Sequence, residues 1–315
     1  MAAMRATAGP PALRTIACIA LLVFVQAAAA QVKLAGTISD PASTLRERFV
    51  ALQGELSRNA FRRPLHLESR EGANEVTGEI YAHVAYPFAV ASAGLEKPSQ
   101  WCDVLILHLN TKYCRPEGLG PPTVLHVDIG KKFDQPRDQA YHVDFDYRVT
   151  ARSANYLQVK LSAAEGPLST RDYRIDLEAT PAEEGGTYIR LSYSYGFGMI
   201  GKIALQAYLA SVGRHKVGFT VDGAHGDGTP TYIGGTRGLI ERNTMRYYLA
   251  IESYLGALSS PAPARIEKSL RDWFAATEIF ALQLHELSET EYLVMKRLEY
   301  TRQQADSGAR AKERS

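Results

Sequence analysis

The chain has 315 residues, of which 45% are hydrophobic and 22% are charged, so it can bury the core of a globular protein. Its 36 basic and 34 acidic side chains give a formal net charge of +2. A nucleic-acid-binding domain normally carries a clear basic excess, and this balance therefore argues against a nucleic-acid partner.

The first 30 residues have the composition of a secretory signal peptide. Arg5 and Arg14 precede an apolar run over residues 16–25, and the small residues that follow suit cleavage by a signal peptidase. The run is about half as long as a membrane-spanning helix requires. We therefore expect a mature chain that begins near Gln31, has no transmembrane segment, and is exported to the periplasm. Loss of the two arginines leaves 34 basic and 34 acidic side chains.

Two cysteines, Cys102 and Cys114, remain in the predicted mature chain. In an oxidising compartment they are expected to form a disulfide. This bridge closes a loop of about a dozen residues, which stabilises the fold by roughly 3 kcal/mol in the chain-entropy model. Next to Trp101, it would pin a helix onto the strand that follows. A catalytic thiol, with His108 between the two cysteines, is the alternative that the sequence leaves open.

Short helices and a hairpin are predicted in the first third of the mature chain. Leu45, Phe49, Leu52 and Leu56 recur at helical spacing and predict a helix over residues 43–59. The pattern then predicts a hairpin with arms at residues 65–69 and 76–86, a helix from Pro87 to Pro98, and a second short helix over residues 101–109.

Alternation of apolar and polar residues predicts an antiparallel sheet over residues 124–195. One set of alternating positions is apolar, and we call it the apolar parity because its side chains share one face of the sheet. Its members are Leu125, Val127, Ile129, Tyr141, Val143, Phe145, Tyr147, Val149, Leu157, Val159, Leu161, Tyr173, Ile175, Leu177, Ile189, Leu191, Tyr193 and Tyr195. The opposite parity is mostly charged. We therefore expect a meander that is covered on one face only.

The remainder of the chain is predicted to be mainly helical. Residues 199–210 form a mostly apolar helix that we expect to be largely buried. Residues 221–238 contain six glycines, and we expect a hairpin there with arms at residues 216–221 and 231–233. An amphipathic helix follows over residues 239–258. After a proline-rich linker, further helices cover residues 265–304, with an interruption near Ser288–Glu291.

The order of these elements resembles the START-like helix-grip superfamily, which includes polyketide cyclases, lipid-transfer domains and plant pollen-allergen proteins. Residues 86–95 (YPFAVASAGL) and 98–101 (PSQW) open short helices, a meander follows, and residues 195–201 (YGFGMIG) lead into helix. The resemblance covers residues 65–258. It implies an α+β helix-grip fold, in which an antiparallel sheet wraps around a long helix. It also implies a cavity for lipid-like or aromatic small molecules. The exported location, the glycine-rich segment at residues 221–238 and the extra C-terminal helices depart from the family.

The apolar parity itself supports a pocket, because a buried tyrosine hydroxyl needs a hydrogen-bond partner. Five tyrosines share that parity, although hydroxyls that simply reach the rim of the sheet are an equal alternative. The residues predicted to line the pocket are Tyr141, Phe145, Tyr147, Tyr193, Tyr195, Tyr247 and Ile251. Residues 234–238 precede a helix whose free N–H groups would attract an anion, so Arg237 and Arg242 are predicted to contact a ligand headgroup. Arg246 lies one turn beyond Arg242; the two arginines either extend this site or form surface ion pairs with Glu241 and its neighbours.

Other candidate chemistry is weaker. His142, Asp144 and Asp146 have the spacing to chelate a metal or to pair an acid with a base. They lie on the polar parity, and we expect solvated charges there rather than a metal site. Asp222, His225 and Asp227 lie in the glycine-rich segment and are expected to be turn residues. No catalytic residue, cofactor or metal is predicted.

These observations predict an exported protein that binds or carries a hydrophobic or amphipathic small molecule, such as a lipid. Its parts would be a signal peptide at residues 1–30, the helix-grip domain at 31–258, and a helical extension at 259–315. Two alternatives remain. One is a cyclase or hydrolase that uses His225 beside the pocket. The other is an interaction module in which residues 265–304 bind a protein partner or a second copy.

Overall fold

The computed structural model describes residues 40–313, apart from residues 119, 121 and 212. The predicted signal peptide lies outside this part of the chain. The strands are β1 (Leu65–Glu71), β2 (Glu75–Val84), β3 (Thr111–Glu117), β4 (Thr123–Ile129), β5 (Tyr141–Arg152), β6 (Leu157–Glu165), β7 (Thr170–Pro181), β8 (Thr187–Phe197), β9 (Val221–Ala224) and β10 (Pro230–Tyr232). The helices are α1 (Pro41–Ala51), α2 (Gln53–Ser57), α3 (Phe88–Leu95), α4 (Pro98–Leu105), α5 (Met199–Ala210), α6 (Gly235–Ala257), α7 (Ala262–Glu278), α8 (Ala281–Leu284) and α9 (Glu289–Glu313).

Eight strands form one antiparallel sheet in the order β1-β2-β8-β7-β6-β5-β4-β3. The register places the predicted apolar parity in continuous rows: Leu191 lies opposite Ile80 on one neighbouring strand and opposite Leu177 on the other. These side chains are fully buried. The prediction of an antiparallel meander from the alternation is confirmed, because a period of two places every second side chain on the same face.

The long helix α6 lies across the apolar face of this sheet, against β1, β2 and β8. Its approach to β2 is close, since a Cβ atom at Gly78 would lie 2.3 Å from the hydroxyl oxygen of Thr244. Only a glycine permits this contact. Strand β2 also leads into α3 and α4 before the meander begins. The predicted α+β helix-grip fold is therefore confirmed.

The outer face of the sheet is not wholly exposed, and that part of the prediction is wrong. Helices α1 and α2 cover one end of it and form a second small core with Tyr81 and Tyr156. Phe49 stacks on Tyr188 of β8, with ring centroids 4.2 Å apart. The amphipathic pattern of residues 43–59 identified a helix with one apolar face, but not the surface that it covers.

Helix α5 is present where it was predicted, but the prediction that it is largely buried is wrong. Leu205 is buried, whereas Met199 is 82% exposed and Ile203 is 62% exposed. The composition of a helix shows how much apolar surface it has, and not whether a neighbouring element covers that surface. Within the part of the chain that the structure describes, no helix is long and apolar enough to cross a membrane.

The predicted hairpin in the glycine-rich segment is present as β9 and β10. Its first arm begins at Val221, where the predicted arm ended, so that boundary is wrong. The chain before the hairpin is held by Glu241, which is fully buried and accepts hydrogen bonds from Ser69, from the Phe219 backbone and from the backbone and hydroxyl of Thr220.

The C-terminal helices α7, α8 and α9 pack onto the helix-grip domain. The Trp273 indole donates to the Arg246 carbonyl at 3.1 Å, and the Tyr292 hydroxyl donates to the Leu107 carbonyl at 2.9 Å. The predicted interruption is confirmed, because Glu291 accepts a hydrogen bond from the Ser288 backbone at 2.9 Å, which begins α9. Residues Pro41–Ser315 form one compact unit.

Strand β3 connects the sheet to helix α4 and to the C-terminal helix α9. The predicted disulfide between Cys102 and Cys114 is present and ties α4 to β3, with Cα atoms 5.1 Å apart. On the same strand, the buried Lys112 lies 3.0 Å from the Glu299 carboxylate, which also pairs with Lys296 at 2.7 Å. Burial lowers the pKa of Lys296 to about 8, although Glu299 opposes this.

Candidate functional site

Aromatic side chains pack between α6 and the apolar face of the sheet. Tyr193 packs edge-on against Tyr247 of α6 with centroids 5.1 Å apart, and Tyr173 stacks on Tyr195 at 5.3 Å. The predicted lining residues that share this core are Phe145, Tyr147, Tyr193, Tyr195, Tyr247 and Ile251. Alternate positions on β5 and β8 bring them to one face.

The hydroxyls of this cluster stay protonated. Burial raises the pKa of Tyr173 to about 12 and raises the pKa of Tyr193 well above its ordinary value. The Tyr147 hydroxyl is buried and has no hydrogen-bond partner in the described part of the chain. Because a buried hydroxyl without a partner is costly, this wall offers hydrogen-bond donors to a polar group of a ligand.

Arg242 is the least satisfied charge in this interior. Its side chain is 0% exposed, and its Nη1 donates to the Val217 carbonyl at 3.2 Å. Its Nε and Nη2 have no partner among the described residues. Burial, followed by repulsion from Arg246, lowers the pKa of Arg242 to about 10, so it remains a cation at neutral pH. A buried cation with two unpaired nitrogens indicates a site for an anion.

Further cations lie next to Arg242. Arg246, one turn further along α6, is buried and donates from Nη2 to Glu286 at 2.9 Å, while its Nε has no partner in the described chain. Lys132 and Lys216 also pair with Glu286. Burial alone would raise the pKa of Glu286, but Arg246 and Lys132 outweigh it and hold that pKa below its ordinary value. One carboxylate thus pairs with three cations, and Arg242 lies next to them without a carboxylate of its own among the described residues.

His108 adds a neutral donor to the same interior. It is 2% exposed, it stacks on Tyr247 with centroids 4.7 Å apart, and its Nδ1 accepts the backbone N–H of Asn110 at 3.1 Å. Burial, and then the charge of Arg246, lowers the pKa of His108 well below its ordinary value. The proton of the neutral ring therefore sits on Nε2, which has no partner among the residues described.

Two predicted site residues lie elsewhere. Tyr141 is 45% exposed at the first position of β5, so the expectation that it is buried is wrong, because the concave face reaches solvent where the strand begins. Arg237 is engaged with the edge strand, where its Nε donates to the Ser69 hydroxyl at 3.1 Å. Of the two predicted headgroup arginines, Arg242 is the one with buried nitrogens that have no partner among the described residues.

Helix α5 borders the cationic end of the interior. Tyr208 and Leu209 of α5 pack against the main core, and the Tyr208 ring lies near both arginines, where it favours their charged forms. The outward face of α5 is exposed, as described above. Because few of its side chains are buried, α5 is held less firmly than a helix with a fully buried face. Of the elements around Arg242 and Arg246, it is the best candidate for a movable cover over the two arginines.

The alternatives predicted from the sequence are not tested by this geometry. His225 is exposed in the turn between β9 and β10, where its backbone makes the hairpin hydrogen bonds. The interaction hypothesis for residues 265–304, and the predicted domain boundary after residue 258, also stay predictions.

From the sequence, Arg246 is placed either in the anion site or in a surface ion pair, and His108 is named only beside the cysteines; Lys132 was missed. Charged residues are assigned to a solvated face by default, and His108 lies within an apolar run without a motif of its own. The spacing of Arg242 and Arg246, one helical turn apart on an otherwise apolar helix face, is the signal that identifies the pair.

No protein-family model matches the sequence, and no curated protein matches it. Several solved structures share similarity with the chain. Norcoclaurine synthase from Thalictrum flavum has 12% sequence identity and a TM-score of 0.30, over 47% of this chain and 77% of that one. An aromatase/cyclase from Streptomyces sp. R1128 has 12% identity and a TM-score of 0.29, over 47% and 86%. Human StAR-related lipid transfer protein 5 has 10% identity and a TM-score of 0.30, over 54% and 89%.

The names of two of these proteins, an aromatase/cyclase and a lipid transfer protein, match groups that the sequence resemblance named. The TM-scores are low, and the helix-grip assignment rests on the strand order and the position of α6 in this chain.

Proposed function

We propose that this chain binds an amphipathic small molecule with an anionic headgroup in the space between α6 and the sheet. The observation that carries the proposal is Arg242, a fully buried cation with two nitrogens unpaired among the described residues. A headgroup carboxylate or phosphate would accept from those nitrogens. The apolar part of the ligand would then lie along the aromatic wall of Tyr193, Tyr195 and Tyr247.

The energetic argument favours an anion over a neutral group. Hydrogen bonds to charged partners contribute about 1.5–3 kcal/mol each, roughly twice the value of neutral ones. The excess of cations around Glu286 also repels a cationic headgroup. An anionic headgroup would therefore supply the hydrogen-bond acceptors that two Arg242 nitrogens lack among the described residues.

We further propose that the protein is exported and that it acts in the periplasm as a carrier. This part rests on the composition of residues 1–30 and on the Cys102–Cys114 disulfide, a bond that persists in oxidising compartments. Fractionation of cells that express the full chain tests it. Recovery of a full-length, unprocessed chain in the cytosol would contradict it.

A matched pair of ligands tests the binding proposal. Hexadecanoate and hexadecan-1-ol have the same chain length and differ in headgroup charge. Calorimetric titration of the ligand-free protein should show hexadecanoate binding about 10- to 100-fold more tightly than the alcohol, because its charge-assisted hydrogen bonds are lost in the alcohol.

Two variants complete this test. Arg242→Met should remove the preference for the acid while the alcohol still binds, and Arg148→Met, which removes an exposed arginine from the outer face of β5, should keep the preference. Equal affinities for the two ligands in the native protein, or an unchanged preference in Arg242→Met, would contradict the proposal.

A further inference from the structure

A second cluster of chemically active side chains lies on the outer face of the sheet, where β4 and β5 pair. His126 lies directly opposite Asp144, and His142 lies directly opposite Asp128. One oxygen of Asp144, Oδ1, lies 2.6 Å from Nδ1 of His126 and 2.9 Å from Nε2 of His142. The two imidazole rings are nearly parallel, with centroids 5.7 Å apart. Two nitrogens and one oxygen therefore converge on one point.

The other nitrogen of each ring is held by a carboxylate. His142 Nδ1 lies 2.7 Å from Asp128, and His126 Nε2 lies 3.1 Å from Glu117. A neutral imidazole carries its proton on one nitrogen and a lone pair on the other. With the protons on the nitrogens that face Asp128 and Glu117, the nitrogens that face Asp144 carry lone pairs. In that tautomer, two ring nitrogens and the Asp144 oxygen face one another, as the ligands of a bound cation do.

From this geometry we infer that His126, His142 and Asp144 bind a divalent transition-metal ion such as Zn²⁺. Imidazole and carboxylate are the ligands that zinc prefers, at about 2.0–2.2 Å. Histidines oriented by carboxylates through their second nitrogen are the usual arrangement around protein-bound metals. Ligand atoms at tetrahedral angles around zinc lie about 3.4 Å apart, so side-chain rotations that lengthen the two contacts of Asp144 by about 0.5–0.8 Å would admit the ion.

The environment suits such an ion. The side chains of His142 and Asp144 are 53% and 57% exposed, so the ion can enter and can keep a water molecule as its fourth ligand. Arg137 pairs with Oδ2 of Asp128, which leaves Oδ1 facing His142, whereas Arg115 pairs with Oε2 of Glu117, the same oxygen that faces His126. Both arginines therefore help to orient the carboxylates. Asp146, which the sequence grouped with His142 and Asp144, is not part of this cluster; His126, from the neighbouring strand, takes its place.

Zinc titration of the protein without an affinity tag tests the inference. A chromophoric chelator reports free Zn²⁺, and Mg²⁺ in excess excludes non-specific carboxylate binding. One equivalent of Zn²⁺ should bind per chain, and replacement by Co²⁺ should give the visible absorption of a tetrahedral site. His126→Ala and His142→Ala should each weaken binding by at least about 100-fold, and Glu117→Gln by about 10-fold, since it only orients a ligand.

His225→Ala is the matched control, because His225 is an exposed histidine outside the cluster. It should leave zinc affinity unchanged. The partly exposed positions of His126 and His142 allow their variants to fold, and circular dichroism verifies this. Absence of stoichiometric zinc binding at micromolar concentration would overturn the inference, as would equal affinity in the native protein and in the folded His126→Ala and His142→Ala variants.

Discussion

Replacement of Arg242 by methionine should stabilise the ligand-free protein. Arg242 is 0% exposed, and its Nε and Nη2 have no partner among the described residues. Each buried unpaired donor costs about 1–3 kcal/mol. The substitution also leaves the Val217 carbonyl without its donor, which costs about 1–2 kcal/mol. The balance is a gain of about 2 kcal/mol in the free energy of unfolding, within the range found when buried charges are replaced by apolar side chains.

Thermal unfolding of ligand-free protein measures this effect. For a chain of this size, 2 kcal/mol corresponds to an increase of about 3–4 °C in melting temperature. The exposed substitution Arg148→Met is the control and should change the unfolding free energy by less than about 0.5 kcal/mol. A melting temperature lowered by several degrees in Arg242→Met would refute the reasoning, because it would mean that the guanidinium is satisfied in the empty protein.

Three further predictions concern the fold. Leu205 is buried, so Leu205→Ala should lower the free energy of unfolding by about 2–4 kcal/mol. Ile203 is exposed, so Ile203→Ser should change it by less than about 0.5 kcal/mol. Equal effects of the two substitutions in urea unfolding would contradict the described orientation of α5. Reduction of the Cys102–Cys114 bond should cost about 3 kcal/mol, and a double alanine variant should be insensitive to reductant. Burial raises the pKa of Asp103 to about 6, so its protonated carboxyl stabilises the fold at low pH, and this stabilisation is lost as the pH rises from about 4 to 6. Asp103→Asn should reduce the accompanying fall in the free energy of unfolding by about 2 kcal/mol. If the native protein and the variant showed the same dependence of unfolding free energy on pH, Asp103 would be excluded as the cause.

Local patterns account for the elements of this fold better than for its surfaces. The alternation around Leu177 and Leu191 predicted the sheet and its buried face, because successive side chains of a strand always point to opposite faces. The exposure of Ile203 and the outer core around Phe49 depend on which element lies next to which, and a local pattern does not contain that information. Both errors concern coverage, not secondary structure.

The same limit applies to the candidate site. The alternation of tyrosines predicted the aromatic cluster that packs against α6. The contact of Arg242 with a ligand headgroup stays a prediction. The convergence of Arg246, Lys132 and His108 joins segments that lie far apart in the chain, so no spacing rule reveals it. The histidine pair on β4 and β5 was missed for the related reason that its register is set by the pairing of two strands.

The most direct test of the account is native mass spectrometry of the protein purified from its own cells, compared with Arg242→Met prepared in the same way. Organic extraction then identifies any compound that is released. The account predicts an acidic amphipathic ligand on the native protein, and much lower occupancy in the variant. A ligand-free native protein that also fails to bind hexadecanoate, or the same ligand at equal occupancy in both proteins, would contradict it.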